Sequence, residues 1–103
     1  MTISEYRQIV AENILTLVKF YADWCKPCKP VATVIEKIIE EYGDRIQVIS
    51  INVDEDAYEE SIASYEKVRN IPTLFYYKHG PLRDKSVGQV TKEIIDDKLL
   101  SLI

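Results

Sequence analysis

Cysteine and histidine are scarce in this chain: there are two Cys, Cys25 and Cys28, and one His, His79. A closed structural zinc site takes four ligands, usually two Cys pairs or Cys with His, so these three residues do not build one within a single chain. A zinc or iron–sulfur centre shared between two chains is the remaining metal reading, and the less favoured one. A disulfide scaffold is excluded too, because it spreads several bridges along the sequence. Gly (3) and Pro (4) are few, which argues against low complexity and disorder. No apolar run reaches the roughly 20 residues of a membrane helix. The longest near the start, Ile14 to Tyr21, is interrupted by Thr16 and Lys19. No basic segment precedes it and no small-residue cleavage site follows, so it does not read as a signal peptide, and a cytoplasmic location is expected. Basic excess is also lacking, with 13 Lys and Arg against 17 Asp and Glu, a net charge of -4. Phosphate binding needs a basic face, so a nucleic-acid role is not expected.

What is present fits one globular domain over residues 1–103, with 47% hydrophobic and 29% charged residues and neither repeat nor linker. Ser4 is a candidate cap for a helix to about Glu12, with Tyr6, Ile9 and Val10 inward. Ile14 to Tyr21 is rich in β-branched and aromatic residues and reads as a buried strand. Beyond it, Val31, Val34, Ile35, Ile38, Ile39 and Tyr42 share one helix face, and Gly43 ends that helix. Ile46 to Val53 reads as a second strand. Tyr58, Ile62 and Tyr65 mark a weaker helix, capped by Asp54 or Asp56. Thr73 to Tyr77 is a third strand, His79-Gly80-Pro81 a turn, and Ser86 to Val90 a fourth strand. Thr91 caps a last helix whose apolar face is Ile94, Ile95, Leu99 and Leu102. The order α-β-α-β-α-β-β-α implies an α/β fold. Parallel pairing through right-handed crossovers comes first, and an antiparallel hairpin closes the chain. His79, in a turn, is read as solvated.

The position of Cys25-Lys26-Pro27-Cys28 carries the chemistry, since it joins the first long strand to the start of the long helix. A bridge across two residues closes a tiny loop and constrains the unfolded chain little, so stabilisation is a poor reason for the pair. A helix N-terminus carries partial positive charge and unpaired N–H groups, which favour a thiolate over a thiol. Cys25 is expected to be the exposed sulfur that feels this most, and Cys28 the covered one. Lys26 adds a neighbouring cation. Pro27 has no N–H to donate, and its fixed φ suits a first turn. A free cysteine with pKa ~8.5 is about 3% thiolate at pH 7. Ionising half of it takes about 2 kcal/mol, which one helix terminus can supply in a partly buried site. Such a pair exchanges thiol for disulfide: one thiolate attacks a substrate disulfide, and the other sulfur then resolves the mixed disulfide.

These residues carry a resemblance. The run from Val18 to Lys29, with Trp24-Cys25-Lys26-Pro27-Cys28 at its centre, is similar to the active-site signature of the thioredoxin family. Arg69-Asn70-Ile71-Pro72-Thr73-Leu74 resembles that family's cis-proline segment. Ile51 to Asp54 matches a central strand end, and Val87-Gly88 a loop beside the site. The resemblance covers almost the whole chain. It implies a thioredoxin fold, a central mixed sheet of four to five strands flanked by about four helices. The first family strand would be short, at Thr2-Ile3, or absent. It implies a cis Pro72 against the cysteines, and a backbone at Ile71 that pairs with a substrate chain by strand addition. Trp24, Ile71, Pro72, Val87 and Gly88, with Pro27, would form an apolar docking surface; the competing reading places Trp24 in the core. It implies a general protein disulfide reductase with no cofactor beyond the Cys25–Cys28 disulfide. The partners would be disulfide-bearing proteins and a thioredoxin reductase, and the chain a monomer without membrane contact.

Several departures bear on tuning. Lys19 stands where the family has a buried Asp that assists proton transfer. Either its stem packs inside while the ammonium reaches water or an acid such as Asp23, the favoured reading, or a neutral amine takes up the proton. Lys26 replaces a usual Gly, Asn70 another, and Thr33 a mid-helix Pro, with Pro30 sitting earlier. A thioredoxin-fold assembly subunit, or an oxidase or isomerase, is the competing function; the intact Trp24-Cys25-x-Pro27-Cys28 favours reduction.

Overall fold

A computed structural model describes residues 1–103. Thr2 caps the first helix, α1 (Ile3–Glu12). Its side chain accepts from the Glu5 N–H while the Glu5 carboxylate accepts from the Thr2 N–H, a reciprocal capping box. The cap is therefore Thr2 and not Ser4, and no strand forms at Thr2-Ile3. The remaining elements are β1 (Leu15–Tyr21), α2 (Cys28–Tyr42), a 3-10 turn at Gly43–Arg45, β2 (Gln47–Asn52), α3 (Ala57–Tyr65), β3 (Thr73–Lys78), β4 (Leu82–Val87) and α4 (Lys92–Leu102). The expected order of elements holds. The fourth strand begins at Leu82, ahead of the expected Ser86, because the turn Lys78–Pro81 is tight. Lys78 donates to the Pro81 carbonyl there, and both His79 and Gly80 take positive φ.

The four strands form one mixed sheet in the order β2-β1-β3-β4. β1 runs parallel to β2 and antiparallel to β3, and β3 pairs antiparallel with β4. Alternation along β1 feeds two cores, one on each face of the sheet. Val18 and Phe20 join Tyr6 and Val10 of α1, Ile62 and Ala63 of α3, and Phe75 and Tyr77 of β3. Leu15 and Leu17 join Val31, Ile35, Ile38 and Tyr42 of α2 and Ile95 and Leu99 of α4. Helices α1 and α3 thus cover one face and α2 and α4 the other, so β1 and β3 are buried along nearly their whole length.

Several expected core positions lie at the surface. Ile14, Ile39, Tyr58, Tyr65 and Ile94 are exposed. Ile39 and Ile94 flank an apolar stripe narrower than the run of Ile suggests, because one helix face meets the sheet over a limited arc. Asp56, rather than Asp54, caps α3 by accepting from the Glu59 N–H. Gly43 stops α2 at φ +54, where a side chain would be strained. No helix is long and apolar enough to cross a membrane.

Candidate active site

The chain leaves β1 at Tyr21 and turns at once. Val53 donates to the Tyr21 carbonyl at 2.9 Å, which pins the strand end. Cys25 N–H donates to Ala22 O at 3.2 Å and Cys28 N–H to Cys25 O at 3.3 Å, so two successive tight turns lead into α2. Pro27 occupies the cap position with φ -63 and ψ -18. No side chain caps the helix, and no acid sits in its first turn. The positive end of the α2 dipole is left uncompensated where the sulfurs lie.

Cys25 and Cys28 form a disulfide across Cα atoms 5.3 Å apart. Both residues are 4% exposed, which corrects the expectation of an open Cys25 over a covered Cys28. The cause is the surrounding loops: Ala22 is buried with the pair, and Tyr21, Val53 and Ile71 pack against this cluster. Difference in residue exposure therefore does not rank the two sulfurs. Their position does, since Cys28 opens the helix and Cys25 precedes it.

The Ile71–Pro72 peptide is cis. Pro72 is buried and Ile71 half-buried against the cysteines. The Pro72 carbonyl accepts from Gly88 N–H at 2.8 Å, and Thr73 pairs with Val87 across the hairpin. Val87 and Gly88 thereby sit beside the proline, with Val87 61% exposed and Gly88 at φ +89. Trp24 is 69% exposed, so it does not belong to the core. Its indole N–H donates to the Asp54 carboxylate. Asp54 is held by an Asn52 side chain that accepts from the Asp54 N–H at 3.0 Å. Sequence reasoning placed Val53 and Asp54 at a strand end and offered Asp54 as a cap, and it foresaw neither the bond from Asp54 to Trp24 nor the packing of Val53 on the cysteine cluster. The Asn52-x-Asp54 spacing, which favours a side-chain-closed turn, was the available signal for the turn that holds Asp54.

Lys19 is 9% exposed, on the α2 side of the sheet. It makes no ion pair, with Asp23 or otherwise; its ammonium lies 4.5 Å from the centre of the Tyr21 ring. Burial pushes its pKa below the ordinary 10.5, and the Glu36 carboxylate on α2 partly offsets this. Asp23 is thus not its partner. Lys26 is exposed beside the pair. His79 lies at the far end of the sheet, its N–H donating to Ile14 O at 2.8 Å. No group of three or more His, Cys, Asp or Glu is placed to hold a metal ion.

Comparison with known proteins agrees with this geometry. The Thioredoxin family model matches residues 1–101. The chain is 39% identical over 93 residues to thioredoxin 1 of Synechococcus elongatus, covering 90% of this chain and 84% of that one. It is 37% identical over 100 residues to thioredoxin 1 of Nostoc sp., covering 96% and 91%. Among solved structures, oxidised mitochondrial thioredoxin 3 from Saccharomyces cerevisiae superposes with a TM-score of 0.85 at 28% identity, covering 97% of this chain and 90% of the other. A family match of this extent, over a four-stranded mixed sheet with a disulfide at the head of α2, leaves one conclusion: the chain belongs to the thioredoxin family of thiol–disulfide oxidoreductases.

Proposed function

We propose that this chain, as a single domain over residues 1–103, is a general protein disulfide reductase and electron carrier. Cys25 is the attacking thiolate and Cys28 the resolving thiol. In the reduced protein the Cys25 thiolate attacks one sulfur of a substrate disulfide, and the other substrate sulfur leaves as a thiolate that takes up a proton. Cys28, losing its own proton, then attacks the Cys25 sulfur. The second substrate thiolate departs and the Cys25–Cys28 disulfide closes. A flavin- or ferredoxin-linked reductase returns two electrons to the pair. The observation that carries this reading is the Cys25–Cys28 disulfide at an uncapped helix N-terminus, packed against Ile71 of the cis-proline loop.

Trp24, Pro27, Ile71, Pro72, Val87 and Gly88 form the docking surface for the substrate chain. The exposure of Trp24 and Val87, with Ile71 half-buried against the cysteine cluster, supports it. The backbone of Ile71 pairs with that chain by strand addition. Lys26 and Lys19 tune the pair as neighbouring cations, and Pro27 fixes the turn between the sulfurs. The protein works as a cytoplasmic monomer, because a reductase needs a compartment that supplies electrons.

Dithiol-driven insulin reduction tests the assignment. Wild type is expected to be active, with Cys25→Ser and Cys28→Ser both inactive. Cys28→Ser accumulates mixed disulfides with substrate and Cys25→Ser does not. Equal activity in all three proteins overturns the reading and leaves an assembly subunit in its place.

A further inference from the structure

Beside the cis-proline loop lies a second feature that disulfide exchange alone does not use. A shallow groove of about 190 Å³ opens between the segment that follows α3 and the outer hairpin β3–β4. Three cations line it, Lys67, Arg69 and Lys85, with Asn70 and Val87 at its rim; none of its eight lining residues is acidic. All three cations are exposed and none makes an ion pair. In a chain of net charge -4, this is a local reversal of sign. Strand alternation in β4 explains how it stays basic. Lys85 and Val87 face the groove, whereas Asp84 points to the other face and pairs with Lys98 of α4 at 3.3 Å. Lys85 rests its ammonium 5.1 Å from the centre of the Phe75 ring, which orients it without neutralising it.

The stop of α3 brings Lys67 to the groove. Lys67 sits at φ +58, just past the end of α3, in a position that glycine fills without strain. The groove also has the right address. Arg69 and Asn70 lead directly into Ile71, which packs on the cysteines, and Val87 belongs to both the groove and the docking surface.

We propose that this groove is a subsite for acidic side chains of the disulfide-bearing substrate, taking an Asp or Glu carboxylate close to the attacked cysteine. The inference rests on the proposed reductase function and names a substrate class for it. A peptide chain lying along Ile71 passes Arg69 within side-chain reach, and its carboxylates meet Arg69, Lys67 and Lys85 together. Basic substrates are disfavoured at the same place by like-charge repulsion.

The test uses three disulfide-bonded peptides that differ only beside the cysteine, carrying Asp-Asp, Asn-Asn or Lys-Lys. Wild type is expected to reduce them with kcat/KM in the order acidic, neutral, basic. Arg69→Gln and Lys85→Gln are each expected to lower the acidic-to-neutral ratio about threefold, the size typical of an exposed charge pair. Arg69→Glu, which leaves the groove a single net positive charge, lowers the ratio further than Arg69→Gln. Lys67→Gly lowers the ratio to a similar extent while unfolding no more readily than wild type, which separates lost charge from lost fold. In 1 M salt, where screening acts within about 3 Å, the preference disappears. Equal rates on all three peptides, with reduction of the neutral one intact in wild type and absent in Cys25→Ser, overturn the subsite and leave the reductase standing. Failure to reduce any peptide overturns both.

Discussion

Lys19 shows what one buried cation does to the stability of the fold. A lysine 9% exposed at the centre of a sheet pays for desolvation, and the Tyr21 ring and the Glu36 carboxylate return only part of it. Its folded pKa is lowered, so between that value and 10.5 the unfolded chain binds more protons than the folded one. Stability therefore rises with pH across that window, and the penalty is largest on its acid side. Lys19→Met is expected to stabilise the fold at pH 7 by about 1 kcal/mol, as replacing a buried charge with an apolar chain of similar length often does. Urea midpoints of both proteins check this: the difference between them should shrink as pH is raised from 7 towards 10.5. A constant difference would show that lost charge is not its source. Trp24 makes the opposite case. Its hydrogen bond to Asp54 anchors one edge of the indole and leaves the rest in solvent, which suits the docking role proposed for it.

Among the elements, legibility followed how strongly each was patterned. β1 and α2 were readable because their apolar residues repeat at clear periods and Gly43 stops the helix at its natural place. The order of all eight elements, the hairpin at His79-Gly80 and the position of the cysteine pair were readable for the same reason. What the residues did not disclose depends on tertiary context. Tyr58 and Tyr65 lie on the outside of α3 although they share its spacing with Ile62, since only contact with the sheet decides which face is covered. The burial of Cys25 comes from packing partners distant in sequence, Val53 and Ile71. The end of α3 was hidden because its stop residue is not a glycine. Val68 N–H donates to Ala63 O at 3.0 Å and Lys67 N–H to Ser64 O at 3.1 Å, the paired bonds of a Schellman stop, with Lys67 left-handed between them. Left-handed backbone costs a side-chain-bearing residue roughly 1 to 2 kcal/mol. Lys67→Gly is accordingly expected to gain about 1 kcal/mol or slightly less, after the entropy that glycine adds to the unfolded chain. A denaturant midpoint that falls instead would mean the lysine side chain stabilises α3 in a way its exposure conceals.

At the scale of the whole molecule, the sheet separates two cores that share no buried residue. Ile62 reports the side of α1 and α3, and Ile38 that of α2 and α4. Each Ile→Val replacement is expected to cost about 0.5 to 1.5 kcal/mol. The double variant should lose the sum to within about 0.5 kcal/mol, as distant sites do. Coupling well beyond that would show that the sheet transmits packing strain from one face to the other. Chemical denaturation of the four proteins completes the cycle.

The strand order also leaves two open margins, at β2 and β4. An open margin with unpaired backbone groups invites neighbouring molecules to add on and grow into fibrils. β4 meets this hazard with Arg83, Asp84 and Lys85 in succession, opposite an irregularity at Tyr76/Tyr77 that breaks the flatness of the ribbon. A second copy laid alongside would have to strip water from those charges. The charged margin thereby keeps the protein from polymerising with itself.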